Sequence, residues 1–225
     1  MPAQSHRAVM FSGPAGRLEA ILWSAAEEEA SARPPLAAVV CHPHPLFGGT
    51  MHNKVVYQAA QTIHRFGLPV VRFNFRGVGL SEGTHDKGTG EVGDVQAALD
   101  FLAQEYSGVP LLVAGFSFGS WVGLHAGCDD ARVTELIGLG LPVGDLEGRS
   151  FSYLESCEKP KLLVSGEFDR FGPPQVLRAM VERFPQQVRE NTKVEIVAGG
   201  DHFFTGHLVE LDRVIAEWLV SRTGL

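Results

Sequence analysis

The sequence predicts an α/β fold, a mostly parallel sheet of about seven to eight strands flanked by helices. Three observations predict it. Short apolar runs alternate with helical patterns along most of the chain. The run at 36–41 has no polar interruption, as expected of a parallel strand buried on both faces. At 225 residues with 44% hydrophobic content, the chain is long enough for a sizeable core and short enough to build it as one domain, taken as 1–225.

The first run, 17–24, is β-rich, and the segment 25–35, with its glutamates and paired prolines, reads as a mobile connection to the strand at 36–41. A Pro/Gly loop at 42–50, a helical stretch at 53–66 and a strand at 69–75 make a β-α-β unit. A helix at 92–105, a strand at 110–115, a helix at 118–126 and a strand at 135–141 continue the alternation. A strand at 161–165, a helix at 174–184, a strand at 193–197 and a helix at 208–221 complete it. Only about 19 residues separate the strands at 135–141 and 161–165, too few for a multi-helix cap, so no large cap domain is expected.

Composition narrows the function. The net charge of −7, with no dense Lys/Arg cluster, argues against nucleic acid as a partner. Three widely spaced cysteines without a CxxC pair fit a reducing compartment. The N-terminal residues lack the apolar core of a signal peptide, and no run approaches the roughly 18 apolar residues of a membrane span. A cytoplasmic protein without a membrane partner, monomeric or a small homo-oligomer, is the expectation.

In an open parallel sheet, ligands bind beyond the carboxyl ends of the strands. Gly115-Phe116-Ser117-Phe118-Gly119 lies there, between an apolar strand and a helix, which is the context of a G-x-S-x-G nucleophile elbow. A serine hydroxyl needs a base, and His202 in Gly199-Gly200-Asp201-His202-Phe203-Phe204 follows the last strand. His125 and His207 read as packing or surface residues. A carboxylate must orient the imidazole; Asp169 in Gly166-Glu167-Phe168-Asp169 is preferred over Glu167 and Asp145 because it keeps the chain order Ser, Asp, His. An oxyanion needs two N–H donors, Phe118 and one from the loop after Cys41. Pro43 and Pro45 have none to donate, which leaves Leu46 first and His44 second. Phe47, Trp121, Phe151, Phe171 and Phe203 lie in or beside these loops as candidate pocket walls, with Phe118 and Phe204 nearby.

The loops also carry features that could mislead. His42, His44 and His52 near Cys41 resemble metal ligands, but the prolines restrict the loop, and hydrogen bonds that shape it are the expected role. Gly77, Gly79 and Gly83 are spaced G-x-G-x-x-x-G, which departs from the dinucleotide fingerprint. Arg76 reads either as a bridge holding this loop or as a surface cation.

Taken together, H-P-H-P-L-F-G-G-T-M-H-N-K at 42–54, F-N-F-R-G-V-G-L-S-E-G at 73–83, G-F-S-F-G, G-E-F-D and G-D-H-F-F make the chain similar to the small, lid-poor α/β-hydrolases related to dienelactone hydrolase. The resemblance implies an α/β-hydrolase fold, no metal and no cofactor. It matches Leu46-Phe47-Gly48 to the stretch that supplies the oxyanion donor, which favours Leu46. Dienelactone hydrolase has a cysteine nucleophile where this chain has Ser117, which speaks against dienelactone as the substrate. The expected activity is hydrolysis of a small acyl substrate, a short-acyl carboxylester, through an acyl-enzyme. A peptidase, thioesterase or acyltransferase with the same residues, or a non-catalytic ligand-binding relative, are the alternatives.

Overall fold

The computed structural model describes residues 6–24, 35–144 and 149–224. Its eight strands are β1 (His6–Gly13), β2 (Gly16–Trp23), β3 (Ala37–Cys41), β4 (Val70–Phe73), β5 (Leu111–Phe116), β6 (Val133–Leu139), β7 (Lys161–Gly166) and β8 (Thr192–Val197). They form one sheet in the order β1-β2-β4-β3-β5-β6-β7-β8. β1 pairs antiparallel with β2, and β2 with β4; from β4 to β8 every pairing is parallel.

The helices are α1 (Lys54–Arg65), α2 (Thr89–Glu105), α3 (Phe118–Asp129), α4 (Pro174–Glu182), α5 (Gln186–Glu190) and α6 (Leu208–Thr223). Alternation along the strands explains their placement. In β3, Ala37, Val39 and Cys41 face one core with residues of α2, α3, α4 and α5, whereas Ala38 and Val40 face a second core with residues of α1 and α6. A strand covered on both faces has no polar position left, hence its unbroken apolar sequence.

Local chemistry sets the boundaries. Asn53 caps α1 by accepting a hydrogen bond from the Val55 amide at 2.9 Å, so the helix starts where the Pro/Gly loop ends. β6 stops at Leu139, two residues earlier than the sequence pattern suggested, because Gly140 adopts φ +54° and turns the chain out of the sheet. The 174–184 pattern ends at Glu182, and α5 follows as a separate short turn of helix. β1, for which the apolar pattern gave no bounds, is an outer strand with mostly exposed residues paired to β2.

The expected connection at 25–35 lies, apart from Pro35, outside the described residues. Among the described residues between β6 and β7 there is one short 3-10 turn, at Ser152–Glu155, and no cap of packed helices. No helix among the described residues is long and apolar enough to cross a membrane.

Candidate active site

The central strand β5 delivers Ser117 to the first turn of α3 in a left-handed conformation, φ 55° and ψ −120°. A non-glycine residue held there is strained, and the surroundings fix it. The Ser117 amide donates to the Leu139 carbonyl at 2.9 Å, and its carbonyl accepts from the amide of Ser120 at 2.9 Å and the Ser120 hydroxyl at 2.6 Å. Its flanking glycines permit the turn. A Cβ at Gly115 would strike the Gly119 carbonyl, and one at Gly119 would strike the carbonyls of Cys41 and His42. Helix and two strands can meet this closely only with hydrogen in those places.

Ser117 meets His202, which in turn meets Asp169, each from a neighbouring loop. The Ser117 hydroxyl lies 3.0 Å from His202 Nε2, and His202 Nδ1 lies 2.9 Å from Asp169 Oδ2. Asp169 is 3% exposed and His202 6%. Asp169 is oriented in turn by the amides of Phe171 and Gly172, each donating to Oδ1 at 2.8 Å. With a carboxylate accepting from Nδ1–H, the imidazole is in the tautomer whose Nε2 can take a proton from the serine.

The rival residues have other partners. Glu167 accepts from the Gly199 amide at 2.8 Å and braces the loop after β8. His125 stacks on Tyr153 at 4.7 Å, and His207 sits 3.8 Å from Glu210. Asp145 lies outside the described residues.

A cleft of about 190 Å³ opens above Ser117. Phe47, Phe171 and Phe203 line it with Phe118 and His202, as do His44, Asn53, Pro142 and Arg149. Trp121 and Phe151, expected as walls, are not among its lining residues. The Trp121 ring occupies the space over Gly88 and its indole N–H donates to the Ser150 carbonyl at 2.9 Å; Phe151 is core, packed near Tyr153. Phe204, also considered, is fully buried in the opposite core. Sequence reasoning missed Asn53 and Arg149. Asn53 announces itself only as a helix cap, and Arg149 carries no motif.

The loop after β3 is built around two histidines. His42 is fully buried; its Nδ1–H donates to the Pro43 carbonyl at 2.6 Å and its Nε2 accepts from the Phe75 amide at 3.0 Å. Nε2 thus joins the end of β3 to the end of β4 while Nδ1 holds the loop's own backbone, and burial lowers the pKa to about 4. His44 packs against Phe118 and Phe47, and its Nδ1 accepts from the Leu46 amide at 3.2 Å. That contact alters the expectation for Leu46: its N–H is directed to the imidazole, its side chain is exposed, and it is not a lining residue of the cleft.

Behind the site, Arg76 proves to be a bridge. Its guanidinium forks onto Asp94 of α2 at 2.7–3.1 Å, both side chains being buried. Asn74 accepts from the Met51 amide at 2.9 Å and donates to Glu19 at 2.8 Å, tying the loop ahead of α1 to β2.

Residues 38–210 match the family model described as alpha/beta hydrolase domain. An uncharacterized protein of Rickettsia prowazekii is 35% identical over 95% of this chain and 88% of its own. Among solved structures, an alpha-beta serine hydrolase homologue from Coxiella burnetii is similar with TM-score 0.85 and 34% identity, covering 97% of this chain and 100% of that one. A Xanthomonas campestris protein, described as an a/b serine hydrolase without lid, is similar with TM-score 0.83 and 31% identity over 100% and 98% of the two chains.

Proposed function

The chain belongs to the alpha/beta hydrolase domain family, and from that premise we propose that it is a serine hydrolase that cleaves small carboxylesters through an acyl-enzyme. The observation that carries this reading is the hydrogen-bonded series Asp169–His202–Ser117 at the floor of the cleft.

In the proposed cycle the Ser117 oxygen attacks the acyl carbon while its proton passes to His202 Nε2. Asp169 stabilises the imidazolium that forms. The negative charge on the former carbonyl oxygen falls at the N-terminus of α3, where the first amides of a helix have no intrahelical acceptor and the helix dipole is positive. Phe118 supplies one donor. The amide of His44 is assigned as the other in place of Leu46, because His44 lines the cleft against Phe118 while the Leu46 amide is directed to the His44 ring. His202 then gives its proton to the departing alkoxide, and water repeats the sequence on the acyl-enzyme.

At about 190 Å³, the cleft is below the roughly 300–1,000 Å³ of pockets that hold drug-sized ligands. Its phenylalanine walls and small size favour short acyl or compact aryl groups.

The test is hydrolysis of p-nitrophenyl esters from acetate to octanoate by wild type and Ser117→Ala, with fluorophosphonate labelling of both. Turnover that declines with chain length and, together with labelling, vanishes in the variant supports the proposal. Undiminished turnover without labelling refutes it.

A further inference from the structure

The catalytic cleft has a larger neighbour. A pocket of about 430 Å³ lies where the loop ahead of α1 meets the turn after His202, against about 190 Å³ for the cleft. Asn53 and Phe203 line both and form the wall between them. The wall is fixed from behind. The Phe203 ring stands edge-on to His202, with centroids 5.1 Å apart, and the next residue, Phe204, is fully buried with φ 52°. Asp201 Oδ1 accepts from the amides of Phe203 at 3.0 Å and Thr205 at 2.8 Å, which pins the turn. Asn53 Oδ1 accepts from the Val55 amide, and its Nδ2 has no acceptor among the described residues.

We infer that this side pocket is the leaving-group subsite of the proposed hydrolase, and that it takes a phenol or alcohol carrying one carboxylate; the inference rests on that reaction.

The route of the proton sets the direction. When the tetrahedral intermediate collapses, the bond between the former acyl carbon and the alcohol oxygen breaks, its electron pair stays on that oxygen, and the oxygen takes the proton from His202 Nε2. The departing oxygen therefore lies against His202. The residue beside His202 in the chain is Phe203, which borders the side pocket as well as the cleft. The small cleft is left to the acyl group. At about 430 Å³ the side pocket falls within the roughly 300–1,000 Å³ of pockets that hold drug-sized ligands, so the alcohol is the larger half of the ester.

The lining sets the chemistry of that alcohol. Val55, Phe204 and Leu208 supply apolar surface, and no acidic residue lines the pocket. Its ionisable lining residues, Lys54 and His52, are both basic. Lys54 is exposed, has no acidic residue in its own turn of helix, and has no carboxylate partner among the described residues. Asp201, the acid nearest in the chain to Phe203, is held by the two amides of its own turn. In a chain of net charge −7 this is a local patch that attracts an anion. The Lys54 ammonium and the free N–H groups of Asn53 match a single carboxylate.

The experiment compares two acetate esters on the full-length chain, para-acetoxybenzoate and para-acetoxybenzamide, which share acyl group and ring and differ in the charge on the leaving phenol. With each ester normalised to its hydroxide-catalysed rate, wild type should favour the anionic one in kcat/KM by about tenfold, through KM, as for one charge-assisted hydrogen bond. In Lys54→Gln the preference should vanish, in Lys54→Glu it should invert, and Lys54→Arg should retain most of it. Both esters are read on one preparation, so partial loss of fold cancels in the ratio. Hydrolysis of both esters without preference in wild type, or a preference that survives Lys54→Glu, overturns the subsite alone. So does a shift, in that variant, of the preference between p-nitrophenyl hemisuccinate and p-nitrophenyl butyrate, where the charge is on the acyl side. Hydrolysis of neither acetate by wild type overturns the esterase reading and this inference with it.

Discussion

Asp169 reaches His202 through Oδ2 alone, because its Oδ1 is held by the amides of Phe171 and Gly172. This division of the two oxygens fixes which face of the carboxylate meets the imidazole. In Asp169→Asn the side-chain oxygen can still accept from the two amides, but the NH₂ group then points at Nδ1 and forces the tautomer whose Nε2 carries a proton. The expected result is a fall in kcat of about 10⁴-fold with the fold intact, measured by ester hydrolysis alongside circular dichroism. Near-normal turnover would show that Asp169 does not serve as the orienting acid.

The left-handed Ser117 makes an opposite prediction for stability. Ser117→Gly removes the strained Cβ at φ 55° and should stabilise the protein by about 1 kcal/mol. Activity should be lost. A thermal melt raised by about 3 °C is the corresponding signal in a chain of this size; a lowered one would mean that the serine side chain contributes more packing than the turn costs.

His42 predicts a pH dependence. Its pKa is about 4 in the folded protein, below the ordinary 6.5, so the unfolded chain binds the proton more tightly. The stabilisation is therefore complete above 6.5 and is lost as pH falls toward 4. Unfolding free energy from urea titration should be about 2 kcal/mol lower at pH 5 than at pH 7.5 from this residue. In His42→Gln, which has no proton to gain there, the slope should shrink.

The Arg76–Asp94 pair should behave as a buried ion pair. Asp94→Ala strands a guanidinium that is almost wholly enclosed, and the expected cost is about 3 kcal/mol. Equilibrium urea unfolding measures it. A cost under about 1 kcal/mol would place the pair with surface ion pairs instead.

Much of this arrangement was legible in the sequence because its signals are local. An unbroken apolar run marks a doubly covered strand, as in β3, and a glycine on either side of Ser117 marks a turn with no room for Cβ. The histidine and carboxylate that the structure brings to Ser117 could be singled out because they follow strands that the parallel order aligns. What the sequence hid depends on side-chain direction and on long-range pairing. Leu46 was favoured as a donor by the resemblance at Leu46-Phe47-Gly48, which gives no sign that the His44 ring accepts from that amide. Trp121 stands one helical turn from Ser117, yet it packs over Gly88, a residue distant in sequence. β1 lacks an apolar signature because an outer strand covered on one face needs few buried side chains.

The three phenylalanines Phe118, Phe171 and Phe203 each sit within two residues of Ser117, Asp169 or His202, whereas Phe47 belongs to the separate loop after β3. Three sides of the cleft therefore share a backbone with the groups proposed to do the chemistry. A change of substrate fit made at those positions would also disturb the alignment of the reacting atoms, so selectivity and rate there would be altered together. Of the groups proposed to act in the cycle, Phe47 shares its loop only with His44, whose ring it packs against, which makes it the natural starting point for redirecting this cleft toward a different acyl group while Ser117, Asp169 and His202 stay in place.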